Sequence, residues 1–308
     1  MSHFQLQIGA KPFPGYCLRE LRGKGGFAEV WEADSPDGQI IAMKFFATDQ
    51  TSSTVKELKS LLSIQKLSHP NLIKIHRIWS MAGYVVVAME LAEGSLMELL
   101  TAYQTEFQAN IEHSLLCHFL GQAAEALDYL NARQHTLDGR KVGWQHCDIK
   151  PSNLLLFGED LKIADFGFAT PTTSSLNPYL TGGTLDFAPP EVFRGMVSER
   201  SDQYSLAVTY YYLRTSQFPF PSSPKKFSRD YSYSRPHPKL DLVDIRERKI
   251  IERALAINPS DRWESCRQFV QELSKVNCSS SSNSLLVATN YASRSDTTCD
   301  VKPGTRFN

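Results

Sequence analysis

The chain has 308 residues, its 33 Lys plus Arg balance 33 Asp plus Glu, and 42% of it is hydrophobic against 21% charged; this profile belongs to a folded globular protein and excludes disorder throughout. Neutral charge without a Lys/Arg block argues against a nucleic-acid or anionic-membrane surface. No run reaches the roughly 18 apolar residues of a membrane span, and Met1-Ser2-His3-Phe4-Gln5 lacks the basic start of a signal peptide, so the expectation is a cytoplasmic chain.

After a lead-in over residues 1–15, marked by Lys11-Pro12-Phe13-Pro14-Gly15, three strands are predicted at Tyr16–Leu21, Ala28–Ala33 and Ile40–Phe46. The turn Ser35-Pro36-Asp37-Gly38 makes the last two a hairpin. Val55, Leu58, Leu61, Leu62 and Leu67 recur near helical spacing until His69-Pro70 stops the run. Apolar segments follow at Leu72–Trp79 and Tyr84–Met89, the second rich in valine and strand-like. Beyond Gly94 the pattern turns helical, at Leu115–Leu130, Ser205–Leu213 and Ile245–Ala256. The run Pro221–Pro238, dense in Pro, Ser and basic residues, reads as a surface loop, and from Cys278 a Ser-rich tail is too polar to order itself. Six cysteines without a close pair point to reduced thiols.

Four places carry chemistry. Gly23-Lys24-Gly25-Gly26-Phe27-Ala28 puts glycines where a strand turns back, which lets backbone N–H groups approach an anion, though an ordinary glycine-rich hairpin reads the same. A strand, not a helix, follows them, which disfavours a dinucleotide fold. Lys44, flanked by apolar neighbours, needs a counter-charge or a phosphate, with Glu57 as the expected partner; a surface lysine and an exposed helix face are the alternatives. The richest signal is Gln145-His146-Cys147-Asp148-Ile149-Lys150-Pro151-Ser152-Asn153 followed by Ile163-Ala164-Asp165-Phe166-Gly167. Two carboxylates, a lysine and an asparagine on loops between apolar runs suit a hard cation and a hydroxyl nucleophile.

With these motifs in this order, residues 16–274 resemble a protein kinase. The phrasing of Ala88-Met89-Glu90-Leu91-Ala92 and Ser201-Asp202-Gln203-Tyr204 is similar to bacterial serine/threonine kinases of the planctomycete type. The resemblance implies an α+β, two-lobed fold: an N-terminal antiparallel sheet with one helix over 16–92 and a mainly helical lobe over 93–276; the polar composition of 277–308 marks that stretch as a disordered tail. It implies ATP and Mg2+ as cofactors and Ser/Thr hydroxyls of a protein substrate, the chain itself included, as acceptors. Gly23, Lys24, Gly25, Gly26 and Phe27 would cover the phosphates. Val30, Ala42 and Leu155 would enclose adenine, with backbone bonds at Glu90 and Ala92 beside a Met89 gatekeeper. Lys44 would hold the α and β phosphates, braced by Glu57. Asp148 would orient the hydroxyl, Lys150 would neutralise the transferring phosphate, Asn153 and Asp165 would ligate the metal, and Thr184 would contact Asp148 and Lys150. Glu191 with Arg262 resembles a buried anchor of the activation segment, and Asp202 the aspartate that ties down the catalytic loop.

The chain departs from the family at Ala28, in place of a third glycine, and at Cys147, where an arginine that pairs with a phosphorylated activation segment is usual. The expectation at Cys147 is activity without that phosphorylation; its thiol leaves packing or a redox role open. Residues 131–144 read as an insertion, and 221–238 replace a helix that often docks substrates. The alternatives are a nucleotide-binding pseudokinase acting as an interaction module, and a kinase fold turned to a small-molecule hydroxyl.

Overall fold

The computed structural model describes residues 5–25, 28–47, 62, 64–81, 83–137, 139–172, 185–221 and 234–276. Gly26, Phe27, Glu57, Thr184, most of the helix expected before His69 and the tail from 277 lie outside them.

Five antiparallel strands, β1 (Cys17–Lys24), β2 (Ala28–Asp34), β3 (Ile40–Ala47), β4 (Ile75–Met81) and β5 (Tyr84–Glu90), form one sheet in the order β1-β2-β3-β5-β4. Period-two alternation gives each strand two faces. Trp31, Ala33, Ile41, Met43, Phe45, Val86 and Ala88 are buried on one of them, and the lead-in packs there through Leu6, Phe13 and Tyr16. Phe13 stacks on Trp79 with ring centres 4.4 Å apart, and Tyr16 meets the same indole edge-on at 5.1 Å. The lead-in is thus a strap over the sheet. The other face carries Val30, Ala42, Lys44, Val87 and Met89, aligned by the pairs Val30↔Lys44, Lys44↔Val87 and Ala42↔Met89.

The rest is mainly helical: α1 (Leu96–Phe107), α2 (His113–Asn131), α3 (Ser201–Thr215), α4 (Ile245–Ala254) and α5 (Cys266–Ser274). The expected helices at 115–130, 205–213 and 245–256 correspond to α2, α3 and α4, with ends moved by a few residues. Helix α3 is buried almost all round, with Tyr204, Leu206, Ala207, Val208 and Tyr210 inaccessible, so the lobe is built about it. The insertion at 131–144 is a hairpin of β7 (His135–Leu137) and β8 (Arg140–Val142).

Two further pairings position the loops that matter. Strand β9 (Trp144–Gln145) pairs with β12 (Thr170–Pro171), and β10 (Leu154–Phe157) with β11 (Asp160–Ile163). The stretches 146–153 and 164–169 therefore run side by side between the same two ladders. β10 also pairs with β6 (Gly94–Ser95), while Ile73 donates to the Ile163 carbonyl at 2.9 Å and Ile163 to that of Asn71 at 2.9 Å. These bonds fix both loops against the sheet.

Candidate active site

A cleft of about 390 Å3 lies between the inner face of the sheet and the β10–β11 hairpin. Gly23, Val30, Ala42, Lys44, Met89, Glu90 and Ala92 line it from the sheet and the segment after it, and Asn153, Leu155 and Asp165 from below. A mostly apolar cleft with a few convergent charges has the makings of a small-molecule site. Lys24 and Gly25 are outside this lining: Lys24 pairs with Glu29 across the β1–β2 ladder at 2.7 Å, and Gly25 donates to the Ala28 carbonyl at 2.8 Å. Arg22, Phe46, Ile73, Ile75 and Met97 also line the cleft, and sequence reasoning did not single them out. On their strands, Arg22, Phe46 and Ile75 carry no mark that separates a cleft face from core. The Glu90 side chain is a brace, accepting from Lys162 Nζ and the Lys74 backbone N–H, both at 2.6 Å.

Lys44 reaches across the cleft to Asp165, with Nζ 2.8 Å from Oδ1. Burial pushes the Asp165 carboxyl up, but Lys44, with Lys150 and His146 adding to it, outweighs this and the net shift is downward, so it is ionised at neutral pH. Asp148 sits 4% exposed on the neighbouring loop. Its Oδ2 accepts from Lys150 Nζ at 2.7 Å and from Asn153 Nδ2 at 2.9 Å, and Nδ2 also donates to the Asp148 carbonyl at 2.8 Å. Because Nδ2 is turned toward Asp148, the Asn153 side-chain oxygen faces the other way, as an acceptor.

The backbone of the Asp148 loop is held from α3. Asp202 accepts from the His146 N–H at 2.6 Å and the Cys147 N–H at 2.9 Å. Cys147 has φ 65°, a left-handed conformation that costs a non-glycine residue about 1–3 kcal/mol, and these two bonds oppose that cost. Burial lifts the Asp202 carboxyl above its ordinary value despite the two donors. His146 donates from Nε2 to the Ala164 carbonyl at 2.9 Å and accepts at Nδ1 from the Asp148 N–H at 3.3 Å, which fixes a neutral tautomer and ties the two loops together. Its ring also meets Phe166 edge-on at 4.9 Å.

Cys147 itself is fully buried in an apolar cluster with Ala188, Val192 and Phe193, edged by Phe168, Leu185 and Val197. Burial, with Asp202, Asp148 and Glu191 adding to it, pushes the thiol well above its usual range. A buried, protonated thiol fits packing and disfavours redox chemistry. Beside this cluster Arg262 grips Glu191 with both ends of its guanidinium, at 2.7 and 2.9 Å, while Ser198 and Ser201 donate to the same carboxylate.

As a metal site, the donor set is the Asn153 oxygen and the Asp165 carboxylate. Among the described residues no group of three or more His, Cys, Asp or Glu could enclose an ion. Two hard oxygen donors fit a cation that fills its shell with water and phosphate oxygens, as Mg2+ does, and the residues present are compatible with it. No helix of the described residues is long and apolar enough to cross a membrane.

Residues 16–280 match the family model described as "Protein kinase domain". The chain is similar to CBL-interacting protein kinase 4 of Oryza sativa subsp. japonica, 28% identical over 264 residues covering 80% of this chain and 54% of that protein. It is also similar to two kinases of Mycobacterium tuberculosis. Serine/threonine-protein kinase PknE is 28% identical over 82% of this chain and 44% of its own, and serine/threonine-protein kinase PknF is 26% identical over 85% and 56%. The chain thus spans about half the length of the curated relatives it matches.

Proposed function

The chain belongs to the protein kinase family, and from that premise we propose that it is a Mg2+-dependent serine/threonine protein kinase transferring the γ phosphate of ATP to polypeptide hydroxyls, its own among them. The observation that carries this reading is the Lys44–Asp165 pair and Asn153 on one apolar cleft, with Asn153 hydrogen-bonded to the Asp148–Lys150 pair on the adjoining loop. A protein that only bound nucleotide would have no chemical need for the second pair. Bacterial serine/threonine kinases among the relatives support the acceptor class; the planctomycete type rests on sequence phrasing alone. Use of ATP and free cysteines at every described position support a cytoplasmic setting.

In this reading Asp148 orients the acceptor hydroxyl and takes its proton, with both contacts described above falling on Oδ2. Lys150 holds positive charge beside the reacting oxygen, and Lys44 turns from Asp165 toward phosphate oxygens when nucleotide enters. Asn153 and Asp165 would hold Mg2+, which when bound neutralises phosphate charge. Val30, Ala42 and Leu155 enclose the base. Gly26, Phe27, Glu57 and Thr184 complete the proposal from outside the described residues. Little covalent work is asked of the protein; positioning and charge do most of it.

Activity is further proposed to need no phosphate on the activation segment. The support is the apolar lining around Cys147, which offers no cation from that position to attract one.

The test is transfer of labelled γ phosphate with Mg2+ onto a generic basic protein, followed by phosphoamino-acid analysis. Wild type is expected to label Ser or Thr, Asp148→Asn to lower the rate by at least about 100-fold, the scale of a lost general base, and Asp165→Ala to lower it through loss of a metal ligand. Label on tyrosine, or transfer unaffected by both substitutions, contradicts the reading.

A further inference from the structure

The segment leading to Glu191 is gripped a second time, from an unexpected quarter. Arg235 lies within the run that reads as a surface loop, yet it is only 4% exposed. Its Nη2 lies within hydrogen-bond distance of three carbonyls on one turn: Leu185, Asp186 at 3.0 Å and Ala188 at 2.9 Å. Its guanidinium is sandwiched between Phe193 at 5.1 Å and Phe220 at 5.0 Å. Phe220 stacks on Tyr204 of α3, with ring centres 6.1 Å apart and planes 6° from parallel, and Arg262 covers the other part of that layer, 4.9 Å from the Tyr204 ring. The result is a buried column, Arg262, Tyr204, Phe220, Arg235 and Phe193, in which two cations each lie against aromatic rings. Each cation grips the same stretch of chain, Arg262 through the Glu191 carboxylate and Arg235 through the turn at 185–188.

Burying a guanidinium is costly unless dipoles and π faces replace its water, and a surface loop has no structural need for that. What the arrangement gains is position. Ala188, the third carbonyl partner, shares a buried apolar cluster with Cys147, the residue before Asp148. The turn therefore abuts the catalytic loop, and Arg235 sets its height there.

We propose that Arg235 is a positioning residue for the polypeptide substrate: a built-in cation that holds the 185–188 turn as a ledge beside Asp148. This rests on the protein-kinase reading above. Arg235 is not among the residues that line the nucleotide cleft, and the turn it grips shares a cluster with Cys147, which places its action on the acceptor side of the reaction.

Two variants separate this from a merely structural role. Arg235→Met keeps an apolar stem between the rings but loses the donors, and Arg235→Lys keeps a cation that reaches fewer carbonyls at once. In the full chain, amide hydrogen exchange over 185–195 is expected to rise in Arg235→Met. The KM for a generic basic protein is expected to rise about tenfold, the scale of one charge-assisted contact, with the KM for ATP unchanged and Arg235→Lys between the two. Unchanged exchange overturns the clamp. Faster exchange with unchanged protein KM and kcat overturns the positioning role. If Arg235→Met shows no cooperative unfolding, Arg235→Lys runs the same comparison against wild type and decides it by the same criteria. A wild type that phosphorylates no polypeptide fails the kinase reading instead, and the exchange comparison still decides whether the turn is clamped.

Discussion

At the scale of single residues, Glu191 carries charge where an unpaired carboxylate would be expelled. Burial raises its pKa, and the Arg262 fork with the Ser201 hydroxyl outweighs that, leaving it below the usual glutamate value. Removing one partner of such a pair costs about 3–5 kcal/mol, so Glu191→Gln should lower unfolding stability by that order in urea titrations at pH 7. The pH dependence follows from the direction of the shift. A depressed folded pKa gives a contribution that is full above the unfolded value, about 4.3, and is lost as pH falls through the lower folded value. The stability gap between wild type and Glu191→Gln should therefore close with acidification below about pH 4.3; a gap independent of pH would show that the pair does not carry it. Cys147 makes a second prediction at this scale. Alkylation at neutral pH followed by peptide mapping should leave Cys147 unmodified in the native chain and modify it after denaturation. Modification of the native protein at that position would reopen a redox role.

At the scale of elements, the loop bearing Asp148 depends on a close approach behind it. A Cβ on Gly143 would lie 2.2 Å from the Asn131 carbonyl oxygen, so the backbone between the β7–β8 hairpin and β9 requires glycine. Gly143→Ala should cost about 1–3 kcal/mol, the usual range for overpacking, and should lower kcat because β9 leads directly into the catalytic loop. A variant as stable and active as wild type would contradict the requirement for glycine at this position. The elements also separate what could be read in advance from what could not. The stretches 145–153 and 163–167 were legible because their charged and amide residues fall within two short spans flanked by apolar runs. Helix α1 was missed although its signal is present: Ser95 and Glu98 form a capping box, and Leu96, Leu99, Leu100 and Tyr103 share a buried face. Helix α5 went unread in the same way, with Ser265 as its cap and Phe269, Val270 and Leu273 as its buried stripe. Arg235 had no local signal. Its burial comes from Phe193 and Phe220, the nearer of which is 15 residues away in sequence, and composition alone makes a Pro- and Ser-rich run look solvated.

At the scale of the whole molecule, the cleft lies where the core of the helical lobe runs onto the inner face of the sheet, taking in Ile73 and Val87 with Phe46, Ile75 and Met89 at its edge. The strap of residues 5–16 closes the outer face of the sheet, and the buried helix α3 organises the other lobe and holds the Asp148 loop through Asp202. Between them, the Lys44–Asp165 pair and the bonds of Ile73 and Ile163 span the cleft. In this account the catalytic loop and the ledge beside it are held by side chains already present: Asp202, Arg262 and Arg235. The measurement that tests this most directly is the initial rate of γ-phosphate transfer to a generic basic protein by phosphatase-treated chain, with the phosphatase removed and its effect verified by mass before ATP and Mg2+ are added. The account predicts full velocity from the first turnovers, with no lag while the chain labels itself. Absence of transfer, or a lag that ends as phosphate accumulates on the chain, would contradict it.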